Sequence, residues 1–334
     1  MLQAALLSLA LSELSTAPAR VPAPGINVAV HQLPAADANP DPQGIAAGPD
    51  GALWFAEYEA NAIGKMTTAG TLVEYPLGES RFAGPEGIAA GPDGALWFTE
   101  FIGDAIGRIT TDGKVSEYAV PEGEGNASPW GIAAGPDGAM WFTETGRDKI
   151  GRVTTDGKVR EYDLAASASP FAITAGSDNA LWFTERHRGV GRISPDGAIS
   201  EYALRNDRDP YAIVLGPDGA VWFTDFGRSI VGRITAQGHV GYYNLPNVDQ
   251  PAAFAAGPDG ALWFTLYGSN GIGRLTTQGR VSVYFRGGNE MHEDPFGIAA
   301  GPDRALWMTS YPQTAVIRAA PYPIKVKRAR VTFR

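Results

Sequence analysis

The residues able to do acid–base chemistry are few in this chain of 334 residues, which has four histidines and no cysteine. Thiol catalysis and disulfides are therefore excluded. His31 occupies an outer-strand position where other segments carry Tyr, and His239 falls in a turn, so both read as structural or solvated. His187 lies in the basic group Arg147, Arg186, His187 and Arg188, which reads either as a counter-charge to nearby acids or as a contact for an acidic ligand. His292 sits in Asn289-Glu290-Met291-His292-Glu293-Asp294 with acids on both sides. That makes it the first choice for proton transfer near neutral pH. No HExxH, P-loop, dinucleotide fingerprint or nucleophile elbow is present.

The other candidates fall in rows. One row follows a recurring proline: Gln43, Glu86, Trp130, Phe171, Tyr211, Ala252 and Phe296. Its aromatic members read either as plugs for inner strands or as a platform for an apolar ligand. A second row stands three residues after a recurring tryptophan: Glu57, Glu100, Glu144, Glu185, Asp225, Leu266 and Ser310. If its five acids surround a narrow axis they repel one another, so they bind a cation, pair with arginine or take raised pKa values.

What must position these rows is a repeat. Trp54, Trp97, Trp141, Trp182, Trp222, Trp263 and Trp307 are spaced 43, 44, 41, 40, 41 and 44 residues apart, each in a short apolar strand after a Gly-Pro-Asp-Gly-like turn. Short strands at that period are the signature of propeller blades. The fold class is therefore all-β, a seven-bladed β-propeller of four-stranded blades. A buried Trp removes ~150–250 Å² from water, up to about 4–6 kcal/mol before entropy costs, so these seven are structural. The strand signal at Ile26–Leu33 matches the end of a repeat, and the last repeat lacks that ending near Thr314–Ala319. The N-terminal strand is thus expected to complete the seventh blade and close the ring. Strand alternation puts the near-identical turns on one face and the variable inter-blade loops on the other, where a site can be built.

Residues 26–320 make the propeller, preceded by a leader with a Pro-rich linker (1–25) and followed by a basic extension (321–334). Residues 2–14 are apolar and Ala17-Pro18-Ala19 resembles a cleavage site, yet no Lys or Arg precedes Arg20. A secretory signal and a short amphipathic leader both stay open, and with them a secreted or a cytoplasmic location. The leader is too short for a membrane span. The net charge of -9 argues against a nucleic-acid or anionic-membrane surface. The tail Ile324–Arg334 is strongly basic and reads as an added edge or as an interaction tail.

The repeat text Gly-Ile-Ala-Ala-Gly-Pro-Asp-Gly-Ala-Leu-Trp-Phe-Thr-Glu, followed by Ile-Gly-Arg-Ile-Thr-Thr-Asp-Gly and Glu-Tyr, resembles the virginiamycin B lyase (streptogramin lyase) family over about residues 26–319. The resemblance implies a monomeric seven-bladed propeller that uses Mg²⁺ to linearise a cyclic depsipeptide antibiotic by elimination, and so a tie to antibiotic resistance. The Pro-His pairs that open the inner strands of the family's last two blades correspond to Pro-Ala252 and Pro-Phe296 here. The family's acid near the seventh blade corresponds to Asp294, a Mg²⁺-linked carboxylate. Its acid after the last Trp corresponds to Ser310, and its first-blade tyrosine to Gln43. The expectation is a loop-face pocket for a small molecule or cyclic peptide, with His292 or a mouth carboxylate as base, Asp294 on a cation, and Gln43, Glu86, Trp130, Phe171, Tyr211, Phe296 and Arg186 on the ligand. A non-catalytic binding propeller is the alternative. A sugar-lactonase-like metal hydrolase ranks last, because no Asn stands where its calcium cluster needs one.

Overall fold

Each Leu-Trp-Phe-Thr-Glu-type strand is buried along its whole length, as Leu96–Glu100 shows. Such a strand needs cover on both faces, and neighbouring blades supply it. The computed structural model describes residues 26–34, 40–78, 82–204, 208–245, 250–267, 271–285, 294–311 and 314–320. Its 28 strands form seven four-stranded antiparallel sheets. The blade that begins at the inner strand Pro85–Ala90 runs outward through Leu96–Glu100, Ala105–Ile109 and Val115–Ala119. Strand Asn27–Gln32 pairs antiparallel with Ala315–Ala320, with His31 opposite Val316, so the ring closes as expected. His31 stacks on Trp307 with ring centroids 5.8 Å apart, where Trp97 instead meets Tyr118 at 5.3 Å. The leader (1–25) and the basic tail (321–334) lie outside the described residues. Among the described residues no helix is long and apolar enough to cross a membrane.

The turn aspartate is more than a turn residue. Asp93 Oδ1 accepts from the Trp97 indole nitrogen at 3.0 Å, and Asp93 Oδ2 meets Arg108 at 2.7 Å. Arg108 also lies over the Trp97 ring at 5.9 Å. Every blade repeats this clamp, with Lys65 taking the arginine's place in the first. A buried indole N–H requires a partner, and the clamp supplies one while crosslinking the turn to the third strand.

A second device joins blades. Each inner strand shifts register after its proline, so that two residues face one on the partner strand, as between Pro85 and Ile88. Such a bulge leaves a backbone N–H without a ladder partner. Thr99 Oγ1 accepts from Gly87 N–H at 2.9 Å and donates to the Trp130 carbonyl of the next blade at 2.8 Å. Thr143, Thr184, Thr224, Thr265 and Thr309 do the same at their own seams. In the first blade Ala56 stands in this place and carries no hydroxyl.

Candidate functional site at the axial mouth

A bulge re-aims side chains, and the first bulge position of each blade is the first of the two predicted rows. Five of its members, Glu86, Trp130, Phe171, Tyr211 and Phe296, line an axial cavity of about 240 Å³. Gln43 instead donates to Asp41 Oδ1 at 2.7 Å, and Ala252 is fully buried.

The aromatic members form a continuous belt. Trp130 stacks on Phe171 at 4.6 Å, and Phe171 meets Tyr211 at 4.5 Å. The belt extends through Phe101 against Trp130 at 5.4 Å and through Phe226 against Tyr211 at 4.9 Å. Tyr267 then bridges Phe226 to Phe296, 6.2 Å from each. Phe101, Phe226 and Tyr267 belong to a row the sequence reading passed over, four residues after each anchoring Trp. Aromatic residues at five of its seven positions were the available signal. This row is placed by backbone: Phe101 N–H donates to Gly84 O at 3.0 Å, and Phe226 N–H to Asp209 O at 3.0 Å.

Arg186 is a member of the same row. It forms a two-pronged pair with Asp209, the Nη2 to Oδ2 contact being 2.7 Å, and lies over Phe171 at 5.3 Å and Tyr211 at 5.4 Å. Its charge is thereby answered within the mouth. On the opposite side, Gly84 permits Tyr58, Phe82 and Ile102 to gather, since a Cβ there would lie 3.0 Å from Tyr58 and Ile102. Phe82 and Ile102 are 40% and 48% exposed, which extends the apolar rim into solvent.

Among the described residues Glu86 is the one carboxyl in the cavity wall. Only 7% of it is exposed. Burial, helped by the negative Asp41 nearby, pushes its pKa up to about 8. Burial also raises the Tyr211 phenol well above its ordinary value, with Arg186 opposing.

The second predicted row does not surround the axis. Glu57, Glu100, Glu144, Glu185 and Asp225 are buried within the blades, and none lines the cavity. The bulge explains the error: these residues sit opposite the proline in ladder register, as Glu100 does opposite Pro85, while the bulge position alone turns to the axis. Burial and the outer-strand acids Glu74 and Glu161 push Glu57 and Glu144 up to about 8, and burial with Glu201 takes Glu185 to about 7. Asp225 pairs with Arg208 at 3.2 Å. The basic group does not pair with Glu144 or Glu185: Arg147 binds the Pro121 and Gly125 carbonyls, and Arg188 meets Glu201 at 3.1 Å. Ser310 Oγ is buried with no partner among the described residues. His292 lies outside the described residues. Asp294 is half-buried, its carbonyl accepting from Tyr311 N–H at 3.2 Å. Among the described residues no three His, Asp or Glu side chains gather as a metal site would require. The metal-ligand set Asp294, Glu57, Glu100, Glu144 and Glu185 is therefore not brought together.

These features define a seven-bladed propeller whose constant residues build the ring and whose varied residues meet at one axial mouth. The chain belongs to the virginiamycin B lyase family, whose sequence model matches residues 19–250 and 210–323. It is similar to a streptogramin B lyase structure, at 33% identity over 88% of this chain and 97% of that one, with a TM-score of 0.81. Selenomethionine-substituted virginiamycin B lyase from Staphylococcus aureus is 35% identical over 89% of this chain and 100% of that one, with a TM-score of 0.82. A catalytically inactive His-to-Ala variant of the Staphylococcus aureus enzyme, solved with quinupristin, is 34% identical over 89% and 100%, with a TM-score of 0.81. No curated protein matches the chain.

Proposed function

We propose that the loop-face mouth binds a bulky, partly apolar small molecule, such as a cyclic peptide or related natural product. The continuous belt from Phe101 to Phe296 around the axial cavity carries this reading. A mouth walled by rings and holding few polar groups suits a large apolar ligand fixed by one or two specific contacts. Trp130 is the one tryptophan outside the seven anchors, so its emission reports the mouth. Titration with a streptogramin B should change the emission of the wild type and not of Trp130→Phe. No change in the wild type would remove the reading.

The second reading is a carbon–oxygen lyase. It is favoured by the identity of 33–35% to streptogramin B and virginiamycin B lyase structures. Elimination across an ester needs a base at the α-proton. Ala252 and Phe296 supply none, which leaves Glu86 in the wall and His292. A Mg²⁺ ion would rest on Asp294, and the described residues near it do not by themselves form a site. Incubation with a streptogramin B, with and without Mg²⁺, decides it: a ring-opened product supports the lyase, and binding without product leaves a binding propeller.

A further inference from the structure

Among the described residues the cavity wall offers a ligand two ionisable side chains, Glu86 and Tyr211. Glu86 stands on the bulge of the inner strand Pro85–Ala90, nine-tenths buried, with no hydrogen-bond or ion-pair partner among the described residues. The groups that act on it are Asp41 from the loop before the first inner strand, Tyr58 after the first anchoring strand, and Tyr211 across the cavity. None of these is a cation. Arg186, the cation that the described residues place on the aromatic belt, is committed to Asp209. Among the described residues no cation answers this carboxyl, which lines an apolar cavity and feels a second acid, Asp41.

We propose that the mouth recognises a ligand bearing an alkylammonium group, whose charge is answered by Glu86 and whose alkyl substituents pack on Trp130, Phe171 and Phe296. The proposal rests on the mouth being the ligand site, and adds the chemistry of the group that enters it. A buried carboxylate needs a partner charge, and a ligand cation provides one where the described residues do not. A hard divalent ion fits poorly, because Mg²⁺ seeks six oxygens and the described side chains of this wall supply oxygen only from Glu86 and Tyr211. An organic cation tolerates apolar and aromatic neighbours.

In the empty mouth Glu86 holds its proton near neutral pH, since burial and Asp41 raise it to about 8. Entry of the cation favours the carboxylate, so the proton leaves to solvent as the ion pair forms. Affinity for the cation should rise roughly tenfold per pH unit between about 6 and 8 and level off above.

The test uses the full chain, choline as the cation and 3,3-dimethylbutan-1-ol as its neutral carbon analogue, with calorimetry and Trp130 emission as readouts. Choline should bind at least ~10-fold tighter than the alcohol at pH 8, and calorimetry at pH 7 in buffers of different ionisation enthalpy should show about one proton released per choline. Glu86→Gln should lose the preference for choline and the pH dependence, while Glu86→Asp keeps part of both. If the alcohol binds as well as choline, or Glu86→Gln keeps the preference, the inference is overturned and the mouth remains a site for apolar ligands. Absence of binding by either probe also overturns the inference, and the streptogramin titration then judges the mouth separately. If Glu86→Gln fails to fold, proton release by the wild type decides alone, and a value of zero overturns the proposal.

Discussion

Thr99 Oγ1 spans the seam between the second and third blades, taking the Gly87 N–H that the bulge frees and donating to the Trp130 carbonyl 2.8 Å away. One hydroxyl thus corrects a local defect, joins two blades and fixes the backbone of a mouth residue. The seam that ends at Glu86 has Ala56 instead. Ala56→Thr should therefore add the missing bridge and stabilise the ring by about 1 kcal/mol, the net value of one hydrogen bond. Thr99→Val should cost about 1 kcal/mol by taking the hydroxyl from the half-buried Gly87 N–H and from the Trp130 carbonyl. Urea unfolding of both variants checks this, and a destabilised Ala56→Thr would show that the first seam packs differently.

The clamp under each anchor gives a second prediction. Burial alone would raise the Asp137 carboxyl, but hydrogen bonds from Trp141 and Arg152 hold it below its usual value. Asp137→Ala removes the acceptor at 3.0 Å from the Trp141 indole and frees Arg152 from its 2.7 Å contact. A loss of about 1–3 kcal/mol is expected. Arg152→Met should cost less, because that pair is partly exposed and screened. Thermal melts of the two variants would contradict this if the arginine change proved the costlier.

Stability should depend on pH in an unusual direction. Glu57 and Glu144 titrate near 8 in the folded protein and near 4.5 when unfolded. Between those values the folded chain holds protons that the unfolded chain has released, so stability falls as pH rises through that window and flattens above about 8. The turn aspartates, held low, act oppositely: their contribution is lost as pH falls below their ordinary value of 3.8. The melting temperature should therefore peak in mildly acidic buffer, near pH 5. Glu144→Gln should flatten the decline between pH 5 and 9, and a wild-type melting temperature that climbs over this range would exclude the mechanism.

The propeller and its closure were legible because they rest on repeated local chemistry. Trp spacing gives the blades, and the stray strand at Asn27–Gln32 gives the seam. The first row of mouth residues was legible for a related reason, since proline marks where each inner strand begins. The second row was misplaced because simple alternation from Trp97 to Glu100 contains no sign of the bulge opposite. One extra residue in Glu86-Gly87, set against the single Thr99, sends Glu86 to the axis and leaves Glu100 inside the blade. The clamp role of Asp93 was missed for another reason: Gly-Pro-Asp-Gly explains itself as a turn. Only its constant spacing to the anchoring Trp, with a basic residue 14 or 15 positions on, hints at a second duty.

Two tryptophans eleven residues apart should separate ring from mouth. Trp141 is fully buried, bonded to Asp137 and stacked on Tyr162 at 5.4 Å. Trp130 is half-buried, its ring held mainly by Phe101 and Phe171. Trp141→Ala should cost about 3–5 kcal/mol through the cavity it leaves between blades. Trp130→Ala gives up aromatic contacts of about 0.5–1.5 kcal/mol each and opens onto existing space, so its stability loss should be markedly smaller. Its effect on ligand should be the larger one: a streptogramin B should bind at least ~10-fold more weakly to Trp130→Ala than to wild type, measured by calorimetry because the reporter is gone. Unchanged affinity would move the ligand off the belt, to the exposed rim at Phe82 and Ile102.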